Sequence, residues 1–285
     1  MIIGENRTAV IENIERAAES GDFYAKVELK DPMLTKKQSD GILNRFIERR
    51  NKPIFRLKSA VACKTADILM GIINRDTEIV GGEKLTGIRG GVIITSNHFS
   101  PLENTAVRYL ARKKLHKKLA IVSQVSNFAM GGFVGYLMNY ANIIPLSDNV
   151  RYMSRPFLGV LREKLNKGQA VLIYPEQEMW FNYRKPRPPK RGSYLFAAKL
   201  KVPIVSCFVE LIDLPKAENG EFNKVKYRIH VLDILTSDSK LSDRDNSVYM
   251  SDRDYELKKS AYERIYGKKL DYRFEPWDIA GWKNE

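Results

Sequence analysis

The sequence GVIITSNHFSPLEN at residues 91–104 joins a predicted strand to the predicted start of a helix, and strands and helices alternate in this way along the chain. Its first part, Gly91–Thr95, is a short apolar run of the kind that forms a strand buried on both faces. Its second part, Ser100–Glu103, has the order of a helix capping box, with serine at the N-cap, proline at the first helical position and glutamate at the third. His98 lies between the two parts. A strand that ends near a histidine and opens a helix places an imidazole at the edge of a sheet, where a substrate can reach it.

The carboxylate of Glu103 fits two roles. It fits a cap that only stabilises the following helix, which the pattern predicts to run through Arg108–Leu115. It also fits the acid that orients His98, because an imidazole held by a carboxylate is a general base. A carboxylate in the first helical turn can also face the preceding turn, so the two roles are compatible and both stay open.

Short apolar runs alternate with helical patterns along the rest of the chain. The strand candidates are Thr77–Val80, Gly91–Thr95, Leu119–Val125, Ala170–Tyr174, Ile204–Val209 and Val225–Leu235. This alternation favours an α/β fold with a mixed, largely parallel sheet flanked by helices and preceded by an N-terminal helical segment. We expect three regions: a helical segment at 1–75 that can associate with a membrane, the α/β core at 76–240, and a C-terminal helical extension packed on the core at 241–285.

Helix candidates have start and stop signals of their own. They are Thr8–Ser20, residues 41–75 with a break at Asn51–Pro53, a helix after Ser100, Ser154–Lys167, Ser193–Leu200 and Ser251–Gly267. Gly168 and Gly267 stand where a C-terminal glycine commonly ends a helix.

Composition bounds the class of protein. The chain has 285 residues, of which 44% are hydrophobic, which allows a sizeable core and excludes a disordered chain. Its formal net charge of +14 favours a polyanionic partner, such as an anionic membrane or a phosphorylated substrate or carrier. No zinc-finger spacing, RNP motif or basic zipper is present, so nucleic acid is not expected as a partner.

Cysteine, histidine and hydropathy patterns narrow the class further. Cys63 and Cys207 share no motif spacing and the three histidines are scattered, so no metal site is expected. The start of the chain lacks a basic region followed by an apolar core, so no signal peptide is expected. The apolar run Ser59–Ile73 contains Lys64 and Asp67, which predicts an amphipathic helix that lies on a membrane surface rather than one that crosses it.

A second polar turn follows another apolar run. The predicted strand Ala170–Tyr174 ends at Pro175, because proline cannot extend a central strand, and the turn presents Glu176 and Glu178. Ligands gather at the carboxyl ends of the strands in an open α/β sheet. His98 also follows a strand, so we expect these side chains to share one cleft. A polar loop that only caps the sheet fits the turn equally.

Three blocks stand in a fixed order between residues 75 and 235. They are Asn97-His98 with an acid at Glu103, Tyr174-Pro175-Glu176, and Val202-Pro203-Ile204-Val205. Their order and spacing resemble the glycerolipid acyltransferases, the family of the lysophosphatidic-acid and glycerol-3-phosphate acyltransferases. That family carries Asn-His-x-x-x-x-Asp, Phe-Pro-Glu-Gly and Val-Pro-Ile-Val blocks in this order. The resemblance implies a fold similar to that of glycerol-3-phosphate acyltransferase.

The resemblance also implies a role for each block. His98 would take the proton from an acceptor hydroxyl as that oxygen attacks an acyl thioester, and Glu103 would hold the imidazole. Backbone N–H groups at the start of the helix would help to hold the thioester oxyanion. Four polar residues of the same blocks would bind or organise the substrate: Asn97, Ser100, Glu176 and Gln177.

The chain departs from the family pattern where the acceptor phosphate is expected to bind. Gln177-Glu178-Met179 stands where the family has Gly-Thr-Arg, and Ser147 stands where a phosphate-binding arginine is expected. Arg151 and the basic segment Arg184-Lys185-Pro186-Arg187 are the candidates to restore the positive charge, because guanidinium groups suit phosphate. A solvated basic loop fits the segment equally. Glu103 replaces the more usual aspartate and keeps the carboxylate.

The sequence therefore predicts an O-acyltransferase that moves a fatty acyl group from acyl-CoA or acyl carrier protein to the hydroxyl of a lysophospholipid resembling lysophosphatidic acid, without a bound cofactor. We expect a cytoplasmic protein, peripheral at the inner face of the membrane and held there by basic charge and the amphipathic helix. Two alternatives stay open: acyl transfer to a non-phosphorylated lipid acceptor, and a non-catalytic lipid- or nucleic-acid-binding protein.

Overall fold

A seven-stranded mixed sheet forms the centre of the molecule. The computed structural model describes residues 7–29 and 32–283. The strands are β1 (Glu78–Val80), β2 (Val92–Thr95), β3 (Leu119–Gln124), β4 (Ile143–Leu146), β5 (Ala170–Ile173), β6 (Ile204–Ala217) and β7 (Asn223–Leu235). Their order is β1-β7-β6-β2-β5-β3-β4. The strands from β6 to β4 are parallel, whereas β7 is antiparallel to β6 and parallel to β1, which confirms the predicted fold class.

Helices cover both faces of this sheet. They are α1 (Arg7–Ser20), α2 (Lys36–Arg49), α3 (Pro53–Ile73), α4 (Asn104–Lys113), α5 (Gly132–Tyr140), α6 (Val150–Tyr152), α7 (Leu158–Asn166), α8 (Gly192–Leu200) and α9 (Asp243–Tyr266). A π-helical turn at Met153–Phe157 joins α6 to α7, and 3-10 helices lie at Gly82–Leu85, Val125–Ala129 and Pro276–Asp278. α4 packs on one face of the sheet, whereas α7, α8 and α9 pack on the other.

The central strands β2 and β5 are apolar except for Thr95 because both of their faces are covered. Every residue of β2 and of β5 is buried. Val92 and Ile94 belong to the core under α4, whereas Ile93 belongs to the core under α7 and α8, as the alternation of a strand requires. Burying each such side chain is worth about 1.5–3 kcal/mol, and a slip of one residue would reverse the faces. The core therefore fixes the ends of β2 and β5 side by side.

Several elements differ from the expectation: α4 begins at Asn104 rather than at Pro101, and α5 is not among the predicted helices. The sequence pattern does not predict β4, because Pro145 argues against a strand. β4 is an edge strand, and there the missing N–H of proline is tolerated. The last helix begins at Asp243 rather than at Ser251, and the side chain of Ser242 caps it by accepting the N–H of Asp245. Gly267 ends this helix as predicted, in the left-handed conformation that glycine adopts freely.

The N-terminal helix packs on a separate apolar cluster rather than on the sheet core. Val10, Ile11 and Ile14 of α1 are buried together with Trp180 and Phe181, which follow β5. The aromatic residues after the second polar turn thus anchor α1. Within residues 7–29 and 32–283, no helix has both the length and the hydropathy needed to cross a bilayer.

Candidate active site

Two polar turns lie side by side at one edge of the sheet. β2 and β5 are parallel neighbours, with Thr95 opposite Ile173 in the register. The histidine turn, residues 96–103, follows β2, and Glu176 lies in the turn that follows β5. Both turns lie at the carboxyl ends of parallel strands, where open α/β sheets bind ligands. The structure thus brings together the two turns that the sequence predicts to share a cleft.

The imidazole of His98 is oriented by Glu103. Nδ1 of His98 hydrogen-bonds Oε1 of Glu103. Because an ionised carboxylate only accepts, the neutral imidazole carries its proton on Nδ1 and a lone pair on Nε2. Nε2 has no hydrogen-bond partner among the described residues. The His98 side chain is 20% exposed, whereas that of Glu103 is 1% exposed. The arrangement can remove a proton from a hydroxyl that approaches Nε2.

Tyr174 fixes the plane of the imidazole. Its ring stacks on that of His98, with the centroids 4.1 Å apart and the planes 6° from parallel. Burial, together with the nearby Glu103 carboxylate, raises the pKa of Tyr174 well above its ordinary value. Burial likewise raises the pKa of Tyr227, another neighbour of Glu103, to about 12. Both phenols therefore remain protonated at neutral pH and add no charge to the site.

The carboxylate of Glu103 holds the turn before α4 and orients the imidazole at once. Its Oε2 accepts the backbone N–H of Phe99 and that of Ser100, the latter at 2.8 Å, while Oε1 faces His98. The hydroxyl oxygen of Ser100 accepts the N–H of Leu102 at 3.2 Å. The orienting contact is present, whereas α4 begins only at Asn104 and has no side-chain cap, so this carboxylate holds the turn before the helix. The N–H groups of Phe99, Ser100 and Leu102 are occupied inside the protein.

Asn97 and Ser100 do not face a substrate. The side-chain amide of Asn97 donates to the carbonyl of Val209 at 3.0 Å and accepts the N–H of Val209 at 2.8 Å. This exchange ties the histidine turn to β6 and uses both ends of the amide. Asn97 is 2% exposed and Ser100 is 4% exposed. The structure thus gives both side chains contacts inside the protein and does not support their predicted substrate-binding roles.

Glu176 also faces the interior. Its Oε2 accepts the backbone N–H of His98 at 3.2 Å and a guanidinium N–H of Arg187 at 3.0 Å. Its Oε1 accepts the backbone N–H of Arg187 at 3.1 Å. The side chains of Glu176 and Arg187 are 3% and 1% exposed. The carboxylate of Glu176 organises the histidine turn, and the structure does not support its predicted contact with the acceptor.

The basic segment is buried rather than solvated. Arg184 forms an ion pair with Asp213 at 2.5 Å. Lys185 forms an ion pair with Asp278 at 2.8 Å. The side chains of Arg184 and Lys185 are 3% and 4% exposed. The structure therefore supports neither a phosphate-binding surface nor a solvated loop at Arg184, Lys185 and Arg187, because carboxylates already pair with these cations inside the protein.

Gln177 and Arg151 are the predicted binding residues that remain exposed. Gln177 has a φ of +64°. At this position the family glycine adopts such a conformation freely, whereas a residue with a Cβ loses roughly 1–2 kcal/mol. Arg151 lies in α6, directly after β4, at the same edge of the sheet as His98. Because β4 is three strand positions from β2, the two strands are about 14 Å apart at the usual spacing.

Sequence reasoning missed two contributions to the site. The ring stack of Tyr174 on His98 was within reach of the sequence, because this tyrosine directly precedes Pro175 at the end of a predicted strand. The second contribution is a backbone contact, in which Trp180 donates its N–H to the carbonyl of His98 at 3.1 Å. No residue pattern signals that contact. In the part of the chain that the structure describes, no group of His, Cys, Asp and Glu side chains is arranged to hold a metal ion.

Comparison with known proteins agrees with this geometry. Residues 76–210 match the family model of the acyltransferases. The fold matches the crystal structure of the 1-acyl-sn-glycerophosphate (LPA) acyltransferase PlsC from Thermotoga maritima, with a TM-score of 0.51 and 16% sequence identity over 93% of this chain and 98% of that chain. A search of curated proteins found no match. Residues 76–210 therefore form an acyltransferase domain, and the chain has the PlsC fold, as the resemblance to the glycerolipid acyltransferases predicts.

Proposed function

We propose that this protein transfers a fatty acyl group from acyl-CoA or acyl carrier protein to the hydroxyl of a lysophospholipid, without a bound cofactor. The observation that carries the proposal is the His98–Glu103 pair at the carboxyl edge of the sheet. Glu103 holds the imidazole by Nδ1 and Tyr174 supports its plane, while Nε2 is left for a substrate. A base held in this way suits a reaction in which a hydroxyl loses its proton as it attacks.

The reaction balances with His98 as the proton carrier. The acceptor hydroxyl gives its proton to Nε2 of His98 while its oxygen attacks the carbonyl carbon of the thioester. The tetrahedral adduct collapses by breaking the C–S bond, and the departing thiolate takes the proton back from the imidazolium. The products are an ester and a free thiol. Between the two steps Glu103 stabilises the imidazolium, as the acid of a catalytic triad does.

Two kinds of acceptor are candidates, a phosphorylated and a non-phosphorylated lipid. The structural relative is a 1-acyl-sn-glycerophosphate acyltransferase, which favours a phosphorylated acceptor. Arg151, exposed at the same edge of the sheet, is the cation that we assign to its phosphate. A non-phosphorylated lipid acceptor is the second candidate. The burial of Arg184 and Lys185 favours it, since the basic segment has no free cation for a phosphate.

A face of α3 supports a peripheral position on an anionic membrane. Five of its large apolar side chains are 52–68% exposed: Ile54, Leu57, Val61, Ile68 and Ile72. Their spacing places them on one side of a helix about 30 Å long, where they form an apolar stripe. Lys58 and Lys64 are exposed on either flank of this stripe. An apolar stripe with basic flanks suits the inner face of a membrane, where anionic lipids attract lysine.

The activity is tested by supplying donors and acceptors in all combinations. Purified protein is incubated with acyl-CoA or acylated acyl carrier protein, and with lysophosphatidic acid or an uncharged monoacylglycerol, and the lipid products are measured by mass spectrometry. We expect a diacyl product that requires His98 and is absent with His98→Ala. Product from the uncharged acceptor alone would establish the non-phosphorylated acceptor. Thiol release without any lipid product would contradict acyl transfer.

Membrane attachment is tested separately by vesicle sedimentation. We expect the protein to sediment with vesicles that contain anionic lipid, less so as salt is raised, and Leu57→Glu to weaken this binding. Tyr249→Glu is the matched control, because Tyr249 is exposed to a similar degree but lies on α9. Equal binding by the two variants would remove the apolar stripe as the membrane contact.

A further inference from the structure

We propose that Arg187 is a positioning residue for acyl transfer: it holds the backbone of His98 in place, both through Glu176 and directly. The proposal rests on the proposed function, because His98 is the base of that reaction. In this proposal Arg187, the last residue of the basic segment, orients the catalytic base and does not bind phosphate.

The contacts of Arg187 close around both backbone groups of His98. Arg187 bonds the carboxylate of Glu176 twice, through its backbone N–H at 3.1 Å and its guanidinium at 3.0 Å. That carboxylate accepts the N–H of His98 at 3.2 Å. The same guanidinium lies 3.4 Å from the carbonyl oxygen of His98 and also donates to the carbonyl of Glu178. One side chain therefore ties the turn after β5 to the turn that carries the base.

Arg187 and Glu176 together form a clamp on the backbone of His98, and because both are almost fully buried, the clamp depends on both of them. Burial lowers the pKa of Arg187, and the opposing effect of the Glu176 carboxylate favours the charged guanidinium. Removing one member of such a pair leaves a buried charge without its partner. The planar guanidinium of arginine also donates to several acceptors in fixed directions. Lysine at this position keeps the charge but supplies a single nitrogen.

Residues before the matched acyltransferase domain complete the clamp. Arg187 donates through its other terminal nitrogen to the carbonyl of Phe23 at 2.9 Å. Its guanidinium also lies over the Trp180 ring, 4.4 Å from the centroid. Trp180 donates its N–H to the carbonyl of His98 and its indole N–H to the carbonyl of Ala25, each at 3.1 Å. The loop after α1 thus contacts the side chains of the two residues, Arg187 and Trp180, that bond the carbonyl of His98.

Arg184 offers a matched control within the same segment. It is also buried and also pairs with a carboxylate, that of Asp213. Its remaining donors bond the carbonyls of Trp277 and Leu211, at 2.9 and 2.5 Å. None of these partners belongs to the histidine turn. A substitution of Arg184 therefore disturbs an ion pair of a buried arginine, here with a carboxylate that is 44% exposed, without touching His98.

The experiment compares Arg187→Lys with Arg184→Lys in the full chain. Both variants are assayed for kcat and KM, normalised to the folded fraction from circular dichroism. We expect Arg187→Lys to lower kcat by about tenfold to hundredfold with little change in KM, because misplacement of a catalytic group by about 1 Å has effects of this size. We expect Arg184→Lys to lower stability but to leave kcat near that of the wild type. Equal kcat values for the two folded variants would overturn the proposal.

Two further measurements cover the remaining outcomes. Hydrogen exchange of the peptide that spans residues 96–103 should quicken in Arg187→Lys and not in Arg184→Lys, a readout that does not depend on turnover. If the wild type transfers no acyl group but this difference is seen, the proposed function fails while the clamp stands. If Arg187→Lys does not fold, Glu176→Gln replaces it, since the amide keeps the size of the side chain but loses the charge and one of the two oxygens that accept from Arg187 and His98. A wild-type kcat in Glu176→Gln would then refute the clamp.

Discussion

Within residues 7–29 and 32–283, two histidines pair with glutamates, and the two pairs differ in their place relative to the strands and in their exposure. His98 and Glu103 lie in a turn beyond the end of β2. His230 and Glu210 lie within β7 and β6, with Nε2 of His230 2.7 Å from Oε2 of Glu210. The residue types and the hydrogen bond are alike. The surroundings differ in two ways that decide what each pair can do.

The first difference is access. His230 is flanked by paired strands on both sides, opposite Val80 of β1 and Phe208 of β6. Its side chain is 10% exposed, against 20% for His98. A residue in the middle of a strand keeps its backbone in the ladder and its side chain under a covering layer. A residue beyond the strand end has no such cover.

The second difference is what else the carboxylate holds. Glu210 also pairs with Arg228 at 3.3 Å, and Arg228 in turn pairs with Glu78 at 2.7 Å. Glu103 holds His98 and two backbone N–H groups, with no ion pair to arginine or lysine among the described residues. The lesson is that a histidine–carboxylate pair becomes a base through its position at a strand end, and not through its composition.

The largest effect that separates the two pairs is expected from removal of the imidazole. His98→Ala should lower kcat toward the upper end of the range of about 10²–10⁴-fold that general bases contribute. His230→Ala should leave kcat within about twofold and lower the free energy of unfolding by about 1–3 kcal/mol. Acyl-transfer kinetics and urea unfolding of both variants measure this contrast. Comparable loss of kcat in both would break the comparison.

The next effect concerns the carboxylates. Glu103→Gln keeps an oxygen that accepts the N–H groups of Phe99 and Ser100, but it no longer stabilises the imidazolium of His98. We expect kcat to fall about 10²-fold or more with little loss of stability. Glu210→Gln should show the reverse. A Glu103→Gln variant that loses stability while keeping its kcat would show that Glu103 only holds the turn before α4.

A smaller effect is expected from the ring beneath His98. Tyr174→Leu removes the stack and should lower kcat by about two- to tenfold, the equivalent of a ring contact worth about 0.5–1.5 kcal/mol. Tyr174→Phe is the matched control, because it keeps the ring and removes only the buried hydroxyl. Steady-state kinetics of the two variants decide the matter. Equal values would mean that the imidazole needs no ring to support it.

The smallest effect is the pH dependence of stability that His230 contributes. Burial lowers the pKa of His230, and Arg228 and Arg264 act in the same direction while Glu210 opposes them. Below the ordinary histidine pKa of about 6.5 the unfolded chain therefore binds a proton that the folded chain does not. The free energy of unfolding should fall as pH falls through this range, and less steeply in His230→Gln. Urea unfolding at several pH values measures both slopes, and identical slopes would exclude the contribution.

The fold was predictable wherever its cause is local. The continuous apolar runs of β2 and β5 predict buried strands, and Gly267 predicts the end of α9. β4 was not predictable in the same way, because Pro145 is tolerated only at the edge of a sheet, and the position of a strand in the sheet is a property of the whole chain. The start of α9 was missed because its first turns are rich in charged residues and lack an apolar period.

The candidate site likewise contains a local contact that the sequence predicts and long-range contacts that it does not. His98 and Glu103 are five positions apart in one turn, so their contact follows from local geometry. The burial of Arg184 and Lys185 depends on Asp213 and Asp278, which reach them only after the sheet and the C-terminal segment have folded. A run of basic residues in a sequence therefore shows its charge but not the partners that neutralise it.

The two edges of the sheet have a consequence for how copies of this protein behave together. β1 has three residues, and its Glu78 pairs with Lys226 and Arg228, while β4 has four residues and contains Pro145. An open edge is a template on which another chain can add a strand, and short strands, charges and proline are the features that prevent this. The folded protein therefore carries features at both edges of its sheet that oppose edge-to-edge aggregation.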